Sequence, residues 1–191
     1  MENKGKILIV EDNKSSATVL LYMLKTLGYI VCGVASSGDQ TLSILEKETP
    51  DLILMDIMIE GDIDGIDLAL IVKKQYDIPV IFLSALSDDR SIQRAKGSTP
   101  YGYISKPFEV RDIKGTIEIA LNKKSMEVKL RENELWFKST LNSIGDAVIA
   151  VDGNNAITFI NNVAEKMLAR KNDEILNHDF DTVVNIIPDL S

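Results

Sequence analysis

Short apolar runs alternate with longer stretches of helical spacing over the first 124 residues of the chain. The runs are rich in β-branched residues and lie at Ile7–Val10, Tyr29–Val34, Leu52–Met55, Val80–Leu83 and Tyr101–Ile104. Because each run is apolar throughout rather than alternating, we expect helices to cover both faces of a parallel sheet. The pattern therefore predicts a doubly wound α/β domain built from five strand–helix pairs.

Apolar residues at helical spacing mark the segments between the runs. They share one face in the first helix at Ala17, Leu20, Leu24 and Leu27, and in the last at Ile113, Ile117 and Leu121. Asn13 is the expected N-terminal cap of the first helix, and Gly28 is its expected end. Ser87 or Asp88 is the expected cap of the fourth helix.

Polar and charged residues follow four of the apolar runs at the point where each run ends. In a doubly wound sheet, the carboxyl ends of the strands share one edge, and ligands bind there. The residues at these ends are Glu11 and Asp12, then Asp56, then Ser84, then Lys106 followed by Pro107. Three carboxylates, one hydroxyl and one ammonium group are therefore predicted to converge.

Three neighbouring carboxylates repel one another unless a cation lies among them. Oxygen ligands with room for water favour Mg²⁺ over zinc. Mg²⁺ and a lysine together would supply the positive charge that a carboxylate needs before it attacks an anionic phosphoryl group. We predict Asp56 as the nucleophile, Glu11 and Asp12 as metal ligands, and Lys106 and Ser84 as contacts of the phosphoryl oxygens.

The order and spacing of these four elements resemble the receiver domain of response regulators over residues 1–124. The resemblance implies the flavodoxin-like strand order 2-1-3-4-5. It also implies that Asp12 and Asp56 bind Mg²⁺ directly, that the backbone carbonyl of Met58 completes the ligand set, and that Glu11 acts through water. One departure is visible, because the loop from Asp56 to Gly65 is one residue longer than usual and lacks proline.

The same resemblance implies roles for residues at the ends of the fourth and fifth strands. Ser84 and Ala85 would bind the phosphoryl group together with Lys106. The peptide bond between Lys106 and Pro107 would be cis, a form found mainly before proline. Tyr103 would be an aromatic switch that turns inward when Ser84 moves toward the phosphoryl group.

The rest of the chain predicts a helical linker at 125–143 and a second domain at 144–191. No Pro or Gly interrupts Thr116–Ser143. Apolar residues recur every seven positions in two rows, so a solvated helix and a dimerising helix both fit. Two short strands joined at Asp152–Asn155 and followed by a helix resemble the opening of a PAS sensory domain. We expect a partial α+β PAS domain that stops before its closing strands.

Charge and composition exclude several classes of function. The formal net charge is −8, with 29 acidic against 21 basic residues. The chain shows no basic stripe, which argues against nucleic acid and anionic membranes as partners. No segment is apolar over the length that a membrane span needs, and the N-terminus does not resemble a signal peptide. The expected location is the cytoplasm.

The resemblance implies a signalling module rather than a metabolic enzyme. It would take a phosphoryl group onto Asp56 from a histidine kinase, a phosphotransfer protein or a small phosphodonor, hydrolyse it slowly, and relay a conformational change to a PAS-containing output region. A homodimer is compatible with the sequence, either through the face of the fourth helix, fifth strand and fifth helix or through the linker helix.

Two other interpretations use the same residues. A pseudo-receiver would be a protein-interaction module that is never phosphorylated, although the acceptor, the acidic pair and the lysine are all present. A phosphatase of the haloacid dehalogenase class also uses a strand-end Asp with Mg²⁺. Such an enzyme needs a second Asp two residues after the nucleophile, where this chain has Met58.

Overall fold

The computed structural model describes residues 4–85 and 99–184. The chain divides into two compact units, Met1–Met126 and Glu127–Ser191. The first contains strands β1 to β5 and helices α1 to α3, in the order β1 (Lys6–Val10), α1 (Lys14–Thr26), β2 (Ile30–Ala35), α2 (Gly38–Leu45), β3 (Leu52–Asp56), α3 (Gly65–Tyr76), β4 (Val80–Ala85) and β5 (Gly102–Lys106). A long helix (Val110–Ser143) follows β5.

The five strands form one parallel sheet in the order β2-β1-β3-β4-β5. The predicted doubly wound sheet and its strand order are therefore confirmed. Apolar side chains form a core on each face of this sheet. All apolar residues of β1 and β3 are buried, because both strands are flanked by other strands and covered by helices.

Strand β2 lies at one edge of the sheet and has only β1 as a neighbour. Ile30 and Val34 are each almost half exposed. The apolar sequence of β2 therefore does not mean that helices cover both faces of this strand. The register with β1 also shifts between Ile7 and Leu8, opposite Val31 and Gly33.

The ends of helix α1 have the expected local chemistry. The side-chain oxygen of Asn13 accepts hydrogen bonds from the amides of Ser15 and Ser16, both at 3.0 Å. Gly28 follows the helix with φ of +89°, a conformation that glycine adopts without strain. The expected fourth-helix caps, Ser87 and Asp88, lie outside the described residues, and so does the fourth helix.

The long helix begins on the sheet and continues past it without a break. Ile113, Ile117 and Ala120 are buried against the sheet. One turn further on, the Lys124 ammonium forms a 2.7 Å ion pair with the carboxylate of Asp77. None of the helices in the described part of the chain is both long enough and apolar enough to cross a membrane.

The second unit contains an antiparallel hairpin of β6 (Ile149–Val151) and β7 (Ile157–Ile160). Short helices follow at Asn162–Leu168, Asn172–Ile175 and Phe180–Val183. Its small apolar core consists of Ile157, Ile160, Ala164 and Ile175. The hairpin turn and the helix after it match the elements expected from the sequence.

Candidate functional site

The acidic residues predicted at the strand ends lie together in the structure. Strands β1 and β3 are neighbours, with Val10 opposite Met55. Glu11 and Asp12 follow β1 directly, while Asp56 is the last residue of β3. One carboxylate oxygen of each residue lies within 4.8 Å of the others. Glu11 and Asp56 are buried, and Asp12 is half-buried.

Lys106 reaches this cluster from the end of β5, two strands away from β3 in the sheet. Its Nζ lies 2.5 Å from Asp56 Oδ2 and 2.7 Å from Glu11 Oε2. Charge-assisted bonds of this length are among the stronger polar contacts in proteins. A single ammonium group therefore joins the ends of β1, β3 and β5.

Burial and pairing act in opposite directions on these groups. Burial raises the pKa of Glu11 above its ordinary value, even though the hydrogen bond from Lys106 lowers it, and the nearby charge of Asp56 raises it further. Burial lowers the pKa of Lys106, but its bonds to Asp56 and Glu11 outweigh this and raise the pKa overall. Lys106 is therefore held in its charged form by the carboxylates.

The two carboxylate oxygens of Asp56 have different partners. Oδ2 accepts from the Lys106 ammonium, and Oδ1 accepts from the backbone N–H of Met58 at 3.1 Å. The Met58 side chain is largely exposed, so the backbone of this residue, and not its thioether, faces Asp56. Sequence reasoning assigned a role to the Met58 carbonyl but missed this amide, because its direction depends on the loop conformation.

The remaining predicted residues lie on β4 and β5. Ser84 is buried and pairs in register with Ser105, and Ala85 pairs with Lys106. The peptide bond between Lys106 and Pro107 is cis. Ser84 and Ala85 thus occupy the last two positions of the strand that separates Asp56 from Lys106 in the sheet.

Tyr103 stands opposite Phe82 in the pairing of β4 and β5. The two rings pack with their centroids 6.0 Å apart, on the face of the sheet that carries α2 and α3. The Tyr103 hydroxyl is buried and has no hydrogen-bond partner among the described residues. Burial raises the pKa of this hydroxyl.

The lengthened loop after Asp56 is hydrogen-bonded to the loop that follows β2. The Glu60 amide donates to the Ser36 carbonyl at 3.1 Å, and the Ser36 hydroxyl lies 3.3 Å from the Glu60 carboxylate. Gly61 follows with φ of +110°. Ile63 packs onto Gly38, where any Cβ would collide with it. Sequence reasoning did not find these contacts, since they join two loops distant in the chain.

The donor set at this edge fits a hard divalent cation. It consists of carboxylate oxygens from Glu11, Asp12 and Asp56, with no thiolate or imidazole beside them in the described part of the chain. Asp12 and Glu60 also line an open groove next to the cluster, which leaves room for water ligands. Such a site is suited to Mg²⁺ chemistry on a phosphoryl group.

The model of the family described as "Response regulator receiver domain" matches residues 7–118. The chain belongs to this family. Receiver domains serve phosphorylation-based two-component signalling, interact with histidine kinases or phosphotransfer proteins, and typically bind Mg²⁺ at an acidic pocket. The cluster of Glu11, Asp12 and Asp56 is compatible with that pocket.

Curated relatives include the "Probable transcriptional regulator ycf27" of Guillardia theta, 33% identical over 147 residues, which are 76% of this chain and 53% of that protein. The "Transcriptional regulatory protein PdtaR" of Mycobacterium tuberculosis is 31% identical over 118 residues, 62% of this chain and 57% of that protein. The receiver chain thus spans little more than half the length of these relatives.

Solved receiver structures are similar to about two thirds of the chain. The signal receiver domain of a modulated diguanylate cyclase from Desulfovibrio desulfuricans G20 is 36% identical, with a TM-score of 0.62 over 64% of this chain and 98% of that one. The N-terminal domain of a response regulator/sensory box/GGDEF 3-domain protein from Carboxydothermus hydrogenoformans is 33% identical, with a TM-score of 0.59 over 64% and 98%.

Proposed function

We propose that Asp56 accepts a phosphoryl group from a histidine kinase or a phosphotransfer protein. The observation that carries the proposal is the ammonium group of Lys106, which pairs with Asp56 at 2.5 Å and with Glu11 at 2.7 Å. A carboxylate with a fixed cation beside it can approach an anionic phosphoryl group without the full cost of charge repulsion.

Asp12 and Asp56 would hold Mg²⁺ directly, with the Met58 backbone carbonyl as a further ligand and Glu11 acting through water. When bound, the cation would neutralise charge between the acceptor and the phosphoryl oxygens. The Met58 amide fixes Oδ1 of Asp56. The other oxygen of the carboxylate then forms the new bond to phosphorus, as the bond from phosphorus to the histidine nitrogen of the donor breaks.

Lys106 would change partner in this reaction, from the free carboxylate of Asp56 to an oxygen of the transferred group. Ser84 would donate its hydroxyl hydrogen to another phosphoryl oxygen, and the Ala85 backbone would contact it as well. The movement of Ser84 would free space for the Tyr103 ring. The change would reach the face that carries β5 and the start of the long helix. Slow hydrolysis of the acyl phosphate would end the signal.

The second unit is proposed to be the beginning of a PAS sensory domain that receives this change through the long helix. Its hairpin and following helix support the proposal. The Carboxydothermus protein mentioned above is likewise described as having a sensory box besides its response regulator domain. We further propose that the protein forms a homodimer.

Mass spectrometry of the chain after treatment with acetyl phosphate and Mg²⁺ tests the acceptor. We expect one added phosphoryl group in the wild type and none in Asp56→Asn. Asp62→Asn is the matched control, because it removes one negative charge from an exposed position in the same loop. An unmodified wild type would favour a pseudo-receiver instead, and equal modification of Asp56→Asn would place the acceptor elsewhere.

A further inference from the structure

The long helix exposes large apolar side chains on several sides, Leu135 and Trp136 among them, and four of them form one row. Ile119, Met126, Leu130 and Phe137 are between 55% and 71% exposed. Ile117 and Ala120, by contrast, are buried against the sheet. A row of exposed apolar residues of this length on one helix is unusual for a solvated linker.

The exposed residues fit a heptad with alternating steps of four and three. Ile119, Met126, Asn133 and Thr140 occupy its d positions, and Lys123, Leu130 and Phe137 its a positions. The other row of apolar residues has Lys124, Arg131 and Lys138 at each intervening core position. A seam on that row would place basic residues opposite one another in every heptad, so the first register is favoured.

The residues at the e and g positions of this heptad, which flank the apolar row, favour a parallel over an antiparallel pair of helices. Lys129 is at a g position and Glu134 at the e position five residues later, and both are exposed. In a parallel pair, Lys129 of one copy faces Glu134 of the other, and Trp136 faces Leu141. An antiparallel pair would instead bring e positions together, so that Glu127 faces Glu127 or Glu134 of the other copy.

We propose that residues 119–140 form a parallel two-stranded coiled coil between two copies of this chain. The inference deepens the homodimer proposed above and does not depend on chemistry at Asp56. The occupant of the apolar row is a second copy because Lys129 and Glu134, which flank the row, have opposite charges and face each other between two parallel copies. Lys123, Asn133 and Thr140 in the seam reduce its stability, so the association is reversible. Phe137 also contacts Phe159 of its own chain and remains 55% exposed.

Disulfide crosslinking of the full chain tests the register. In a Cys32→Ser background, a parallel seam brings Met126→Cys against itself and Asn133→Cys against itself, so both variants form covalent dimers on mild oxidation. Leu135→Cys is the matched control, since this residue is 62% exposed but lies on the outer side of the pair. Equal crosslinking of the control, or crosslinking at only one seam position, would overturn the parallel seam.

Sedimentation of charge variants tests the pairing. We expect twice the chain mass of 21.2 kDa for the wild type at high concentration. Lys129→Glu weakens the dimer by about tenfold, since two attractions become repulsions. Adding Glu134→Lys restores it, whereas Lys138→Glu has little effect. A monomer at all concentrations, a trimer, or no restoration would refute the proposal. All these measurements use the unphosphorylated chain, so a failure of phosphotransfer to Asp56 would leave them unchanged.

Discussion

The backbone of Gly65 lies directly against the carbonyl group of Asp56, so that a Cβ on Gly65 would collide with the carbonyl oxygen. The amide of Gly65 also donates to the Ile57 carbonyl at 2.9 Å. Asp64, one residue earlier, caps helix α3 through the amides of Ile66 and Asp67. The first residue of α3 therefore packs directly against the backbone of Asp56, the proposed acceptor.

Gly65→Ala is expected to lower the free energy of unfolding by about 2–3 kcal/mol, because the methyl group forces α3 away from β3. The displaced Asp56 backbone should also slow phosphorylation by acetyl phosphate. Urea unfolding and the rate of acetyl phosphate modification measure the two effects.

Gly115→Ala is the control for this substitution. Gly115 lies in the long helix, and a Cβ there meets nothing within 4 Å. The change should raise the free energy of unfolding by about 1 kcal/mol through helix propensity alone. A Gly65→Ala protein as stable as the wild type would contradict the close packing.

Lys106→Met is expected to lower the free energy of unfolding by about 2 kcal/mol in buffer without divalent cations, because Glu11 and Asp56 lose their shared cation. Mg²⁺ should then stabilise this variant more than it stabilises the wild type. Thermal unfolding at several Mg²⁺ concentrations measures the difference. Lys14→Met, at an exposed position near the cluster, should change neither quantity.

The deficit of Lys106→Met should also depend on pH. The pKa of Glu11 is raised, chiefly by burial, and loss of the lysine removes a contact that lowers it. A raised pKa in the folded state means that stability is greater at low pH and is lost as pH rises through that pKa. The deficit should therefore shrink between neutral pH and about pH 5. A deficit that grows on acidification would contradict the assigned charges.

Asn161→Ala is expected to destabilise the second unit by about 3 kcal/mol. Its buried side chain donates to the carbonyls of Leu141 and Asp146 and accepts from the amides of Val148 and Ala164. These bonds tie the end of the long helix to the hairpin. Hydrogen exchange should accelerate at residues 141–148 in the variant, and far less in Asn162→Ala, where the side chain is exposed. Unchanged protection would show that the bonds contribute little.

Cys32 is expected to react with iodoacetamide only at higher pH than an unfolded thiol. Burial raises its pKa above the ordinary value, and its Sγ lies 3.6 Å from the Ile7 carbonyl oxygen. The thiol form is thus favoured by folding, and the stability that it contributes is lost as pH rises through this pKa. The alkylation rate of this single cysteine against pH, in native buffer and in urea, measures the shift. A lower midpoint in native buffer would contradict it.

The sheet was predictable because it depends on local composition. Apolar runs such as Leu52–Met55 can be satisfied only inside a sheet that is covered on both faces, and the order of polar residues at their ends placed Glu11, Asp56 and Lys106 at one edge. The structure brings these three side chains into contact.

Other features could not be predicted, because they depend on contacts between distant segments. The bond between Ser36 and Glu60 joins two loops, and neither loop carries a pattern that indicates the other. The exposure of β2 follows from its place at the edge of the sheet, which its apolar sequence does not reveal. The Met58 amide is directed at Asp56 by the loop conformation alone.

Asp56, the proposed acceptor, stands at the end of β3, which is hydrogen-bonded on both sides to β1 and β4 and has no exposed apolar residue. Segments of this kind open only in global unfolding, whereas loops and edges fluctuate at little cost in free energy. The carboxylate of Asp56 therefore belongs to a segment that opens only with the whole fold, whereas the loop after it can fluctuate while the sheet stays folded. Loop fluctuations would thus alter the lifetime of the proposed acyl phosphate without unfolding the sheet.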